Sequence, residues 1–535
     1  MRMPRIMMGL GQRGQSLPAA RSAPPSAGAE KAAGGNLAAY AKLKKDIEER
    51  DLRIAELEAE NAALREELKS AAEKAEAPLL ETIKKLEFEI CRLNAIIKKN
   101  SSNSSKPPST DGFKKPVMNS REPSKNKVGG QKGHPGHRLS LPANLDELVE
   151  KGLVVKRLVD LSNGAESYVT RFELDVQVTT TLTEYRYAPG DPALLARENE
   201  VSYGDGVKAL STLLSVEGII ADKRLSDLLS SITAGVIHIS PATLERYQQQ
   251  FAARLSENGE LDSIKEDLLN GEVMCTDDTT MRCVERPVYA KNGDEEVLSG
   301  WEKGVRKSLS CTLRNHSNDR STLYTVNPRK DAAGIERDGV LPKFNGTLSH
   351  DHEAKFYNYG KSHASCGGHA TRECKGLHEL YGHDVAEDIR KLFLKMNEHK
   401  NKDLANGKES CDESVLKEFE KKLDMLLEQG LTQLETTDQE AFGYHELELI
   451  IFRLIEYKDS YLRFIRDYKA PFTNNLSERD LRAGKVKQKV SGPFRSWKGI
   501  KAYAVNRSFF STAKKRDLDL FYSIKKVLAG TKVLQ

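Results

Sequence analysis

A chain of 535 residues is long enough for several domains and a large buried core. Its 38% hydrophobic and 30% charged residues describe solvated helical regions around such a core, and no run of about eighteen apolar residues offers a membrane span. The net charge of +5 is mild but unevenly spread, and seven cysteines, at 91, 275, 283, 311, 366, 374 and 411, argue for a reducing compartment rather than a disulfide framework.

Residues 1–37 are rich in Ala, Ser, Gly and Arg and read as an unstructured tail rather than a transit peptide. From 38 to 99 the pattern turns helical. Leu43, Ile47, Ile54, Leu57, Leu64 and Leu68 fall at heptad spacing, with Asn61 at an a position, where a polar side chain fixes register. Pro78 interrupts this pattern, and Leu79, Ile83, Leu86, Ile90, Leu93 and Ile97 resume it in a new frame. The expectation is an intermolecular coiled coil and hence a homo-oligomer, with a two-helix hairpin as the alternative.

Residues 100–140 hold too few apolar side chains for a core, and Pro and Gly block regular structure. Ten Lys or Arg against two acids over 98–138, with Lys132 and His134 among them, suggest a flexible basic arm lying on DNA phosphates. A plain solvated linker is the alternative. Residues 141–200 form a small β-rich region, with strands expected near 168–178 and 179–187. Over 201–262 helices return. Within them 224–229, a break, and Ser240-Pro241 opening a second helix read as either a helix-turn-helix or two packed helices.

Strands are expected at 271–283, 309–314, 323–326 and 346–351, with 315–320 as the turn between the second and third. Within the first, the run Val273-Met274-Cys275-Thr276 ends in Asp277-Asp278-Thr279, and the last closes on Asp351. From 376 to 470 the pattern is amphipathic helix, and no phosphate-binding loop of the nucleotide-hydrolase type occurs. Glu478 then lies in Asn474-Asn475-Leu476-Ser477-Glu478-Arg479, ahead of fifteen Lys or Arg against three Asp. Three carboxylates carried on strand, strand and helix beside a basic segment suit Mg²⁺ ions, which hydrolysis or transfer at a phosphodiester requires. Lys485, Lys487, Lys489 and Arg495 would neutralise a DNA backbone, and Phe494 and Trp497 would stack on an unpaired base. A solvated basic helix with two core aromatics is the alternative.

At these residues the sequence resembles transposases of the insertion-sequence-66 family, over most of 40–510. The resemblance rests on Ser104-Ser105-Lys106-Pro107-Pro108-Ser109, on Gly129-Gly130-Gln131-Lys132-Gly133-His134, and on Thr183-Glu184-Tyr185-Arg186 with Tyr203-Gly204. Asp277-Asp278-Thr279 and the Asn-Asn-x-x-Glu-Arg at Asn474 complete it. It implies a multidomain α+β chain with a ribonuclease-H-like α/β core. The core would span 263–360 and 471–510, interrupted by a helical insertion at 361–470 and followed by a basic tail at 511–535. Asp277, Asp351 and Glu478 would be the Asp-Asp-Glu triad, holding Mg²⁺ (or Mn²⁺) for cleavage of double-stranded DNA at inverted-repeat ends and 3′-hydroxyl strand transfer. A cytoplasmic, nucleoid-associated location and small accessory proteins go with that reading.

In Cys366-x-x-His369, His369 is a candidate for contact with DNA or the scissile phosphate. Zinc binding among His363, Cys366, His369, Cys374 and His378 fits no usual spacing and is not expected. Two departures stand out: 138–200 contains no cysteine where the family carries a zinc ribbon, and Asp278 replaces a glutamate. The first motivates an alternative, a non-catalytic DNA-binding relative. A coiled-coil scaffold is a third reading.

Overall fold

The computed structural model describes residues 33–104, 140–161, 163, 166–167, 169–188, 190–192, 201–289, 295–299, 301–302, 305–306 and 308–534. The chain divides into two units, residues 1–91 and 92–535. The first is essentially one helix, α1 (Ala33–Lys98), whose last turns belong to the second unit. Ala, Leu, Glu and Lys favour it throughout, and it runs straight through Pro78. Losing one N–H there costs about 3 kcal/mol, which strong helix formers on both sides absorb, and Thr82 Oγ1 donates to the Pro78 carbonyl at 2.8 Å. The expected interruption is therefore absent, and so is the hairpin. The heptad side chains, from Leu43 through Ile97, stay exposed in the single chain.

In the second unit, α2 (Leu145–Glu150) is followed by extended chain. Among the described residues of 141–200 no strand forms, which corrects the β-rich expectation. The alternation is real, but Val169, Phe172, Leu174, Val176 and Leu182 are exposed and have no sheet to pair with. Helices α3 (Asp205–Val216), α4 (Asp222–Ile232), α5 (Pro241–Glu257) and α6 (Glu260–Leu269) come next. The Ser240 hydroxyl caps α5 by accepting from the Thr243 N–H at 3.2 Å, with Pro241 in the first turn. Leu225, Leu229, Ile237, Ile239, Leu244 and Tyr247 pack α4 against α5, so these are at least two packed helices.

A five-stranded sheet follows, in order β7-β6-β1-β8-β9, from β1 (Val273–Cys283), β6 (Leu309–Ser317), β7 (Thr322–Asn327), β8 (Thr347–His350) and β9 (Ser362–Ser365). Two small ribbons, β2 (Glu285–Tyr289) with β3 (Glu295–Ser299) and β4 (Trp301–Glu302) with β5 (Val305–Arg306), lie between β1 and β6. β1 pairs antiparallel with β6 and parallel with β8. β6 runs on to Ser317, so the turn starts later than expected. There Asn318 Oδ1 accepts from the N–H groups of Arg320 and Ser321. A short helix, α7 (Ala332–Asp338), joins β7 to β8. Because β9 belongs to the sheet, the insertion begins near residue 367 rather than 361.

The insertion comprises α8 (Gly367–Tyr381), α9 (Asp384–Ala405), α10 (Glu413–Thr436), α11 (Tyr444–Glu456) and α12 (Lys458–Arg466) around one apolar core. It leaves and re-enters the sheet at one place. The Gly367 N–H donates to the Phe472 carbonyl at 2.9 Å, and a Cβ at Gly367 would stand 2.2 Å from the Phe472 ring. Only glycine lets the start of α8 approach the segment at Phe472 so closely.

The chain ends in α13 (Asn475–Ser491), α14 (Trp497–Lys515) and α15 (Leu520–Leu528). The expected basic tail at 511–535 is folded: Ala513, Ile524, Val527 and Leu534 are buried with Phe251, Phe509 and Phe510 against Met274 and Leu348 of the sheet. Its Lys and Arg residues alternate with that apolar stripe, which hid the helix in a count of charges. Ile524→Ala should cost about 3 kcal/mol by urea denaturation, whereas a solvated tail would register almost nothing.

Candidate active site

The parallel pairing of β1 with β8 fixes Val273 beside Thr347 and Cys275 beside Ser349. Carried two residues further, the same register sets Asp277 next to Asp351. Successive residues of a strand face opposite ways, so Asp277 and Asp278 have different fates. Asp278 is buried and paired opposite Arg314 on β6. Its carboxylate takes Arg314 Nη2 at 3.1 Å, Lys355 Nζ at 2.7 Å and Lys330 Nζ at 3.1 Å. Arg314 also binds Asp338. The replacement of glutamate by Asp278 thus sits in a charge network of the core.

Among the described residues no cation pairs with Asp277. Burial, then the nearby Asp351, hold its carboxyl well above the usual range, and Glu478 adds to the effect. Asp351 is raised to about 6, first by burial and next by Glu353. Both shifts favour a neutral acid until a cation arrives.

Glu478 stands in the first turn of α13, and hydrogen bonds dock that helix onto the sheet. Asn474 Nδ2 donates to the Thr276 carbonyl at 2.8 Å, one residue before Asp277. Ser477 Oγ donates to Asn315 Oδ1 at 2.7 Å, and Asn315 Nδ2 returns to the Ser477 carbonyl at 3.1 Å. Asp480 accepts from Ser317 and Thr322 at 2.9 and 3.0 Å and meets Lys515 at 3.3 Å. Asn315 and Asp480 escaped the sequence reading. Their signal was polar residues inside an apolar strand and one helical turn around Glu478.

The insertion stem completes the site. Asn474 N–H donates to Cys366 Sγ at 3.3 Å, and His369 Nδ1 lies 3.9 Å from Glu478 Oε1. Those last two atoms are buried and neither makes a hydrogen bond. Cys366, His369 and Glu478 offer ligand atoms all within 4.8 Å of one another. Asp277, Asp351 and Glu478 are not in so tight a group among the described residues. Burial, with Arg372 nearby, lowers His369 to about 4, and burial lifts the Cys366 thiol to about 11, so both are neutral at pH 7. The zinc grouping weighed in the sequence is not assembled whole: His363 bonds His350, and Cys374 is buried in the insertion core.

The basic residues separate. Lys489 and Arg495 are exposed. Lys487 is buried, donating to the Ser215 carbonyl at 3.3 Å, and Lys485 donates to the Thr280 carbonyl. Neither of these two points freely outward, so the expectation of four phosphate contacts is corrected at Lys487 and weakened at Lys485. Trp497 is a core residue beside Leu481 and Ile500, and Phe494 packs against that core and extends β1 by backbone hydrogen bonds, so the aromatics take the packing alternative. Lys132 and His134 lie outside the described residues.

No curated protein matches. A family of unknown function matches residues 44–140. Among solved structures, the Drosophila P element transposase strand transfer complex is 8% identical, covering 62% of this chain and 97% of its own, with a TM-score of 0.29. The Mos1 strand transfer complex is 15% identical, covering 50% and 81%, with a TM-score of 0.10. The model of the transposase IS66 family matches residues 216–502, more than half of the chain and a span that includes Asp277, Asp351 and Glu478, and the chain belongs to that family.

Proposed function

We propose that this transposase cuts and joins DNA by an Asp-Asp-Glu mechanism at Asp277, Asp351 and Glu478. The observation that carries the reading is electrostatic. Two neighbouring carboxyls are held above their usual range, Asp277 by burial and then by Asp351, Asp351 by burial and then by Glu353, and a third offers a buried oxygen without a hydrogen bond. Hard oxygen donors that repel one another fit Mg²⁺ or Mn²⁺. When bound, such ions would supply Lewis acidity toward a phosphodiester and a more acidic water or 3′-hydroxyl.

The chain's own contribution is positioning. The β1–β8 register puts two acids on neighbouring strands, and the Asn474 and Ser477 bonds dock the helix that carries the third onto the same sheet. Neutral His369 stands beside Glu478 with its Nδ1 buried and unbonded and its side chain 16% exposed, and that exposed part is the candidate for a phosphate oxygen or a leaving hydroxyl. Lys489 and Arg495 offer exposed charge for the DNA backbone, and the exposed heptads of α1 are suited to burial against another copy of the chain. Incubation with labelled inverted-repeat ends and Mg²⁺ tests the proposal: strand cuts and joined products are expected, and binding without cutting would overturn it.

The basic residues give a separate check. Replacing Lys489 or Arg495 with Ala should lower the slope of log affinity against log salt by about 0.9 each. Lys487→Ala should leave that slope unchanged in the same titration and lower stability instead.

A further inference from the structure

The insertion holds a second constellation that the Asp-Asp-Glu reading does not use. His399 and Asp403 stand one helical turn apart on α9, and Cys411 lies in the loop before α10. Their ligand atoms, an imidazole nitrogen, a carboxylate oxygen and a sulfur, all lie within 4.8 Å of one another. We propose that His399, Asp403 and Cys411 bind one zinc ion, clipping the 406–412 loop to the end of α9.

An i, i+4 pair places two side chains on one helix face, pointed at a common spot. His399 Nε2 is 3.3 Å from Asp403 Oδ2. Two ligands bound tetrahedrally at about 2.0–2.1 Å from zinc stand about 3.3–3.4 Å apart. The separation therefore already fits the edge of a zinc tetrahedron. An ordinary ion pair explains it less well: His399 Nε2 is a buried atom that makes no hydrogen bond despite the nearby oxygen. An N–H must aim at its acceptor, whereas metal ligands need only converge. Cys411 completes the set by a rotamer-scale shift toward a Zn–S length of about 2.3 Å. A donor set of nitrogen, oxygen and sulfur suits zinc rather than magnesium. Three protein ligands leave the fourth position for water.

The surroundings orient these ligands. The Tyr468 hydroxyl donates to Asp403 Oδ2 at 2.7 Å and also neighbours Cys411, and the Phe419 ring meets the His399 imidazole edge to face at 5.7 Å. Such outer partners fix ligand rotamers and strengthen binding. Two cations lie close, and both have other anchors. Lys408 meets Asp403 Oδ1 at 3.7 Å but Asp412 at 2.7 Å, and Lys400 donates to the Ala470 carbonyl. This group is distinct from Cys366, His369 and Glu478, whose own thiol makes a control necessary.

The test is titration of the metal-stripped full chain with Co²⁺, read by thiolate-to-cobalt charge transfer in the near ultraviolet and by the intense visible bands of a tetrahedral site. One thiolate-bound cobalt per chain, displaced by Zn²⁺, is expected for the wild type and for Cys366→Ser, and cobalt at the Asp-Asp-Glu carboxylates adds no charge-transfer band. Cys411→Ser and His399→Ala should lose the charge-transfer signal or bind at least about 100-fold more weakly, and Tyr468→Phe about 10-fold. Circular dichroism checks folding, and Asp403→Asn stands in for any variant that fails it. Signal that survives Cys411→Ser but not Cys366→Ser overturns the assignment. So does a wild type with no thiolate band, since the three residues are then an ion pair beside a cysteine.

Discussion

Asp351→Asn is expected to abolish strand cleavage and joining, by at least about 10³-fold if it removes a ligand that stabilises charge developing in the reaction, while DNA affinity stays within a few-fold. Asp277→Asn and Glu478→Gln should behave alike, measured on labelled ends with Mg²⁺. Stability should move the other way. A carboxyl whose folded value is raised loses stability for the protein as pH climbs from its unfolded value toward the folded one. For Asp351, raised to about 6, that window runs from about 4 to 6. Above it the metal-free wild type carries a repulsion that Asn removes, so the variant should melt higher at pH 7. Mg²⁺ should raise the wild-type melting temperature and do little for the variant. Wild-type cleavage by Asp351→Asn would sink the triad.

Much of this site could be read from sequence, because its parts are local. An apolar run ending in Asp277-Asp278, another ending in Asp351, and Glu478 after Asn474-Asn475 each announce an element and a carboxylate. The amphipathic periodicity over 376–470 announced helices, and α8 to α12 occupy that stretch. What sequence hid was long-range partnership. Pairing decides whether the alternating residues of 169–182 become strands, and they found no partner. Burial decides whether a lysine is a phosphate ligand, and Lys487 faces Ser215 instead. The residues after 510 looked like a basic tail because a count of charges ignores which face Ile524 and Val527 occupy. The insertion's lower boundary shifted because β9 is only four residues long, too short for its alternation to register in sequence, although side-chain as well as backbone bonds tie Ser362 and His363 to β8.

Arg314→Leu should be among the most damaging single changes in the sheet, at about 3–5 kcal/mol. Arg314 is fully buried and stands between Asp278 and Asp338, both nearly without solvent. Leucine fills comparable apolar volume, yet it leaves Asp338 as a buried carboxylate whose main cation is gone. Asp338 already sits above its usual range through burial, with Arg314 the chief group opposing that rise. Asp278 is less exposed to the loss, because Lys330 and Lys355 still reach it. The variant's penalty should therefore be concentrated at Asp338. Adding Asp338→Asn to Arg314→Leu should recover a large part of the lost stability, whereas adding Asp278→Asn should recover less and strand two lysines. Urea denaturation of the two double variants against the single one separates these outcomes. Equal recovery from both would mean that Arg314 serves the two acids alike. Since Asp278 directly follows Asp277 on β1, the single variant should also lose cleavage in proportion to how far the strand shifts. Restoring stability through Asp338 should restore part of that activity.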